Sequence, residues 1–192
     1  MTSVLLIDHM DSFVYNLKDE LEMQGAHVAV YRSTWETSAA MAYIAREKPD
    51  AIVLSPGPGA PREARLYHDL LTHAPHDLPM LGVCLGHQAM IEHCGGVVRK
   101  TTVMHGRASV LVHNHQGLFT GLPNPMLIGR YHSLVGECIP DVLIVDAISE
   151  EKVMAVRHHE RPWYGVQFHP ESVLTPEGPR LIAAFLAKVR AR

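Results

Sequence analysis

Long apolar stretches are missing from this sequence, and nothing in it approaches the roughly 20 consecutive apolar residues that a membrane-spanning helix needs. The opening residues, Met1-Thr2-Ser3-Val4-Leu5-Leu6-Ile7-Asp8, lack a basic segment ahead of an apolar one, so they read as a first strand and not as a secretion signal. Cysteine is scarce, with 3 in 192 residues. That scarcity argues against a disulfide framework and points to a reducing cytoplasm. An excess of one charge is also lacking: 17 basic against 20 acidic residues leave a net charge of -3. Such a balance gives no electrostatic footprint for nucleic acid or for an anionic membrane. Histidine is abundant at 14, but the histidines are scattered. No H-E-x-x-H and no Cys/His pairs at zinc spacing occur, so no metal site is expected and most histidines are expected to face solvent. At 47% hydrophobic and 19% charged, the chain has the apolar content for one sizeable core, and residues 1–192 read as a single domain without linker, repeat or low-complexity tract.

What the sequence does contain is an alternation of short apolar runs and amphipathic segments. Val4 to Ile7, His27 to Tyr31, Ala51 to Leu54 and Met80 to Val83 read as strands. Asn16 to Met23, Ser38 to Arg46 and Glu63 to Thr72 read as the helices between them. This order predicts an α/β fold: an open, mostly parallel, flavodoxin-like sheet with helices on both faces. From about Val97 the runs shorten (Ser109 to Val112, Met126 to Ile128, Leu143 to Ile148, Val153 to Arg157, Tyr164 to Phe168), which predicts additional antiparallel strands in the C-terminal half. Pro179 to Arg190 reads as a closing amphipathic helix.

Three stretches carry chemistry. In Met80-Leu81-Gly82-Val83-Cys84-Leu85-Gly86-His87-Gln88, a buried strand meets a cysteine with glycine two residues away on each side, and a helix-compatible segment follows. This is a cysteine form of the G-x-S-x-G elbow, in which glycines permit a sharp strand-to-helix turn and the nucleophile lands at a helix N-terminus. The free N–H groups and dipole there favour negative charge on the sulfur. An inert core cysteine is the competing reading. Cys94 and Cys138 lack those flanks and read as structural.

Downstream, Gln167-Phe168-His169-Pro170-Glu171-Ser172 closes a strand. In an extended segment residues i and i+2 project to one side, so His169 and Glu171 can reach a common site, and Pro170 stiffens the backbone between them. Nucleophile, base and orienter are then available as Cys84, His169 and Glu171. The third stretch, Ser55-Pro56-Gly57-Pro58-Gly59-Ala60-Pro61, is a stiff loop whose amides are open to a ligand. The amides of Leu85 and Gly57 are the natural oxyanion donors of an acyl-transfer site. By itself that loop is better read as an ordinary Pro/Gly turn between strand and helix.

These motifs, in this order, resemble the class I (triad-type) glutamine amidotransferases, and among them the small subunits that serve chorismate-using enzymes. Asp11-Ser12-Phe13-Val14-Tyr15-Asn16-Leu17, Met104-His105-Gly106 and Arg130-Tyr131-His132-Ser133-Leu134-Val135 are similar to further signatures of that family. The resemblance runs from Leu5 to about Leu186. It implies that Cys84 attacks the side-chain carboxamide of L-glutamine, that His169 carries protons and that Glu171 holds His169. It further implies that Gly57, Pro58 and Gly59 line the glutamine pocket, that Gln88, Ser133 and Leu134 bind glutamine, and that no cofactor is required. For Ser133 and Leu134 a loop turn beside Tyr131 is the plainer alternative.

Two positions depart from the family pattern: His9 stands where asparagine is usual, and Arg107 where lysine is usual. Neither belongs to the triad, so they bear on the partner more than on the chemistry. The partner implied is a chorismate-binding synthase subunit. His132 to Val135, Cys138-Ile139-Pro140 and Met154 to Arg157 look most like anthranilate synthase small subunits, with aminodeoxychorismate synthase as the alternative acceptor. The chain limits weigh against a carbamoyl-phosphate synthase small subunit or a fused GMP synthetase. A stand-alone γ-glutamyl cysteine hydrolase and a non-catalytic flavodoxin-like domain are the competing classes.

Overall fold

A computed structural model describes residues 1–192. The first half runs β1 (Thr2–Asp8), α1 (Val14–Met23), β2 (Ala26–Arg32), α2 (Thr37–Glu47), β3 (Ala51–Leu54), α3 (Arg65–His73), β4 (Met80–Val83) and α4 (Leu85–His93). The second half runs β5 (Val97–Lys100), β6 (Arg107–His113), β7 (Met126–Arg130), β8 (Leu134–Glu137), β9 (Leu143–Ser149), β10 (Lys152–His158), β11 (Trp163–Val166) and α5 (Gly178–Arg190). Nine strands form one sheet in the order β2-β1-β3-β4-β11-β10-β9-β6-β7. The pairs from β2 through β11 are parallel, and those from β11 onward antiparallel. The fold is therefore mixed α/β with a mostly parallel centre and an antiparallel extension, as the alternation predicts.

The residue pattern explains the division. Ala51–Leu54 and Met80–Val83 are buried at every position, as strands covered on both faces must be. In β1 successive residues serve opposite layers. Val4 and Leu6 join a core with Leu17 and Leu21 of α1 and Leu181 and Phe185 of α5. Leu5 and Ile7 join another with Ile44 of α2, Tyr67 and Leu70 of α3, and Met90 of α4. Each such fully buried side chain contributes about 1.5–3 kcal/mol. By contrast β6 alternates, with Ser109, Leu111 and His113 inside and Val110 and Val112 outside, the mark of a sheet covered on one face. No helix is long and apolar enough to cross a membrane.

Some expectations change. β5 and β8, which pair with each other as a separate two-stranded sheet, fall outside the strands read from sequence. Each is four residues long and ends in charged or small residues, so neither has a readable period. Leu134 consequently opens a strand and is not part of a loop turn. Most histidines are not solvent-facing: only His27, His73, His76, His105, His115 and His159 are exposed, and His87, His113, His132 and His169 are buried. Cys94 is half-buried against the core, but Cys138 is exposed in a left-handed turn just past β8 and lies outside the core clusters.

Candidate active site

The elbow forms at the carboxyl end of β4. Cys84 caps α4 with φ 50° and ψ −97°, a backbone region that a residue with a Cβ seldom occupies and that costs on the order of 1–3 kcal/mol. Its N–H donates to the Val166 carbonyl of β11 at 2.8 Å, which anchors the turn to the neighbouring strand. The flanking glycines permit the sharp turn, as the motif predicts, through the space they leave and not through their φ. Neither has a left-handed φ; the strain is in Cys84 itself. A Cβ on Gly82 would lie 2.5 Å from the Gly86 carbonyl carbon, and one on Gly86 2.4 Å from the Leu54 carbonyl oxygen. The glycines let α4 sit directly on β3 and β4. Leu85 opens α4, so its N–H has no partner within the helix and is free for a ligand.

β11 lies parallel to β4 with Val166 opposite Val83, so the chain leaving β11 passes alongside Cys84. His169 is held by its own N–H on the Gly129 carbonyl at 3.1 Å and by the Thr175 hydroxyl, which donates to its carbonyl at 2.7 Å. Its Nδ1 is 2.6 Å from Glu171 Oε1, and both side chains are buried. The Glu171 Oε2 atom has no hydrogen-bond partner. The Tyr131 ring meets the imidazole edge-on at 4.9 Å between centroids. Burial alone would push the His169 imidazolium toward its neutral form. Hydrogen bonding to Cys84 and Glu171, together with their negative charge, outweighs burial and raises the group to about 10.

Cys84 and His169 open onto one cavity of about 470 Å³, shared with Asp11, Phe13, Pro56, Gly57, His105, Gly106 and Tyr131. Gly57 comes so near His9 that a Cβ would lie 2.4 Å from the His9 carbonyl oxygen. The loop is anchored from below: Ser55 Oγ accepts from the His9 N–H at 3.0 Å and donates to the Pro56 carbonyl, and Tyr67 Oη bonds the Ile7 and Ser55 carbonyls. The Asp11 carboxyl is raised, first by burial, against opposing effects of the Phe13 amide and His169.

The other predicted glutamine contacts distribute differently. Gly59, Ser133 and Leu134 line an adjacent cavity of about 410 Å³, and Pro58 is exposed in the loop between. Gln88 is buried, and its amide nitrogen donates to the Leu134 carbonyl and to Gln167 Oε1, both at 3.1 Å. A larger cavity of about 670 Å³ lies at the other end of the sheet, where residues such as Asp50 and Pro79 enter β3 and β4. It holds neither cysteine nor an elbow, and size alone does not make it the reactive site.

Sequence reasoning placed Gln167, Asp11, Tyr131 and His105 in motifs but gave them no role; Gln167 Nε2 is 3.5 Å from the Cys84 sulfur, and the other three lie on the cavity wall. The i, i+2 argument that pairs His169 with Glu171 also reaches back to Gln167, so that signal was present. His9 is half-buried with its ring near Tyr67, and Arg107 is exposed at the start of β6.

Comparison with known proteins gives a consistent pattern. Residues 5–189 match the family model described as glutamine amidotransferase class-I. The chain is 42% identical over 184 residues to anthranilate synthase component 2 of Haemophilus influenzae, covering 95% of both chains. It is 48% identical over 187 residues to aminodeoxychorismate synthase component 2 of Escherichia coli, covering 95% of this chain and 98% of that one. Among solved structures, a protein assigned as a GMP synthase subunit from Thermoplasma acidophilum superposes with a TM-score of 0.88, covering 100% of this chain and 95% of that chain. At 22% identity it speaks for the fold alone.

Proposed function

The chain belongs to the class I glutamine amidotransferases, and on that premise we propose that it is the glutaminase subunit of a chorismate-using synthase, working through Cys84, His169 and Glu171. The single observation that carries this reading is a cysteine in a strained elbow sharing one cavity with an imidazole whose far nitrogen is clasped by a buried carboxylate.

In this mechanism the Cys84 thiolate attacks Cδ of the L-glutamine side chain. A protonated His169 beside the sulfur is the counter-ion that the thiolate form needs. The tetrahedral oxyanion takes N–H donors from Leu85 and Gly57. His169 then gives its proton to the departing nitrogen, ammonia leaves, and a γ-glutamyl thioester remains on Cys84. Water, deprotonated by His169, attacks the thioester and releases glutamate. Glu171 accepts from Nδ1, fixes the tautomer and stabilises imidazolium. Gly57, Pro58, Gly59, Gln88, Ser133 and Leu134 are the proposed glutamine contacts. No cofactor enters these steps.

The ammonia passes to a chorismate-binding partner subunit, and the whole chain acts as one glutaminase domain in the cytoplasm. Relatives named component 2 of anthranilate synthase and of aminodeoxychorismate synthase both support a two-component synthase. We take anthranilate synthase as the acceptor on the segments His132–Val135, Cys138–Pro140 and Met154–Arg157. The 48% identity to the aminodeoxychorismate synthase relative favours the second reading. Co-purification with the natural synthase subunit, followed by identification of the aminated product from chorismate and glutamine, decides between them. Anthranilate supports the first acceptor and aminodeoxychorismate the second. A chain that takes no synthase partner and hydrolyses glutamine at full rate alone contradicts both.

A further inference from the structure

We propose that Gln167 is a positioning residue for the Cys84 sulfur, presenting an N–H donor whose direction is dictated by a buried chain of hydrogen bonds that begins at the Leu134 carbonyl. The proposal rests on the reading of Cys84 as nucleophile and goes beyond the triad. Gln167 is fully buried and follows directly on β11, where the pairing of Val166 with Val83 sets it beside Cys84. Its backbone N–H is tied to the Met154 carbonyl at 2.8 Å. Its side-chain Nε2 is 3.5 Å from Cys84 Sγ, and its Oε1 accepts from Gln88 Nε2 at 3.1 Å.

The orientation of both amides follows from chemistry at the far end of the chain. A main-chain carbonyl can only accept. Gln88 must therefore turn its NH2 group to the Leu134 oxygen, at 3.1 Å. The second hydrogen of that NH2 group points at Gln167, which has to answer with its carbonyl oxygen. That leaves the Gln167 NH2 group, and not its oxygen, facing the sulfur. The same Leu134 oxygen lies 2.8 Å from His132 Nδ1, while Arg130 Nε donates to His132 Nε2 at 3.1 Å. Because Arg130 can only donate, His132 carries its proton on Nδ1 and donates to Leu134 as well. Gln167, Gln88, His132 and Arg130 are all buried, and every direction in the chain is fixed.

A donor aimed at sulfur favours thiolate over thiol, since a hydrogen bond to an ionised acceptor is stronger than one to its neutral form. It also holds the side chain in one direction on a backbone that is already strained. Gln167 moves no proton and touches no substrate atom. Leu134, at the head of the chain, is one of the proposed glutamine contacts and lines the cavity of about 410 Å³ beside the one that Cys84 opens onto, so a proposed substrate contact and the attacking sulfur share one hydrogen-bond network.

The test is Gln167→Met, which keeps length and removes the donor. Alkylation of Cys84 by iodoacetamide is followed against pH, with its peptide resolved from those of Cys94 and Cys138 by mass spectrometry. The profile is expected to move to higher pH, with alkylation at neutral pH about tenfold slower and kcat for glutamine hydrolysis falling by a similar factor while KM stays within about threefold. A profile superimposable on wild type overturns the proposal. If Q167M fails to fold, the wild-type chain labelled with 15N-glutamine supplies the second reading. The Gln167 side-chain amide protons are expected to move as Cys84 ionises, and an unmoved resonance overturns the proposal. Cys84→Ser separates the two levels. Surviving glutaminase activity in C84S sinks the nucleophile reading itself, whereas an inactive C84S with an unshifted Q167M sinks only the role of Gln167.

Discussion

The Nδ1 atom of His169 lies 2.6 Å from Oε1 of Glu171, with both side chains withdrawn from solvent. A carboxylate in that place orients the imidazole and stabilises its cation, but it does not carry the proton. His169→Ala is therefore expected to lower kcat for glutamine hydrolysis more than Glu171→Ala, with the Glu171 loss roughly ten- to a hundredfold smaller. Steady-state glutaminase kinetics on the two variants check this. Equal or reversed losses contradict the assigned roles.

The same pair gives a pH signature. His169 is raised from 6.5 to about 10 in the folded chain. Its contribution to stability is fully present below the unfolded value and is lost progressively as pH rises toward 10. Burial depresses His87 to about 3 and His132 to about 4. These two oppose folding as pH falls below 6.5, because the unfolded chain then binds protons that the folded chain refuses. Urea unfolding across pH 4 to 10 is expected to show stability falling on both sides of near-neutral pH. Imidazole NMR titration is expected to keep His132 neutral at pH 5.5 and His169 protonated at pH 8.5.

Strain at the elbow yields a stability prediction. Cys84 sits at φ 50°, where only glycine is at ease. Cys84→Gly is expected to be more stable than Cys84→Ala by about 1 kcal/mol or more, although both lack the sulfur. Thermal melts of the two variants measure the difference, and a glycine variant less stable than the alanine one removes strain from the account.

How far the sequence carries the structure differs between the two halves. Ala51–Leu54 and Met80–Val83 are continuous apolar runs because both their faces are covered, and they were legible for that reason. β5 and β8 were not legible. Val97–Lys100 and Leu134–Glu137 gain their strand conformation from pairing with each other across more than thirty intervening residues, a tertiary effect without local period. Cys84, His169 and Glu171 stood out because an elbow and an alternating polar pair are local patterns. The elbow glycines were legible too, since a Cβ on Gly82 would strike the Gly86 backbone across the turn and one on Gly86 the Leu54 carbonyl; the positive φ of Cys84 itself was not. Gln88 was read as a substrate contact, and its bonds to Leu134 and Gln167 could not be seen before the strands were laid side by side. The burial of His87 and His132, against the general expectation that most histidines face solvent, likewise appears only once the chain is packed.

The most direct measurement of the central claim is product formation by the synthase complex carrying Cys84→Ser, with glutamine and with ammonium salt in parallel. The account predicts that the glutamine-driven reaction disappears while the ammonium-driven reaction continues at the wild-type rate. Glutamine-driven product at an undiminished rate would contradict it, because no thiol would then be needed at the head of α4.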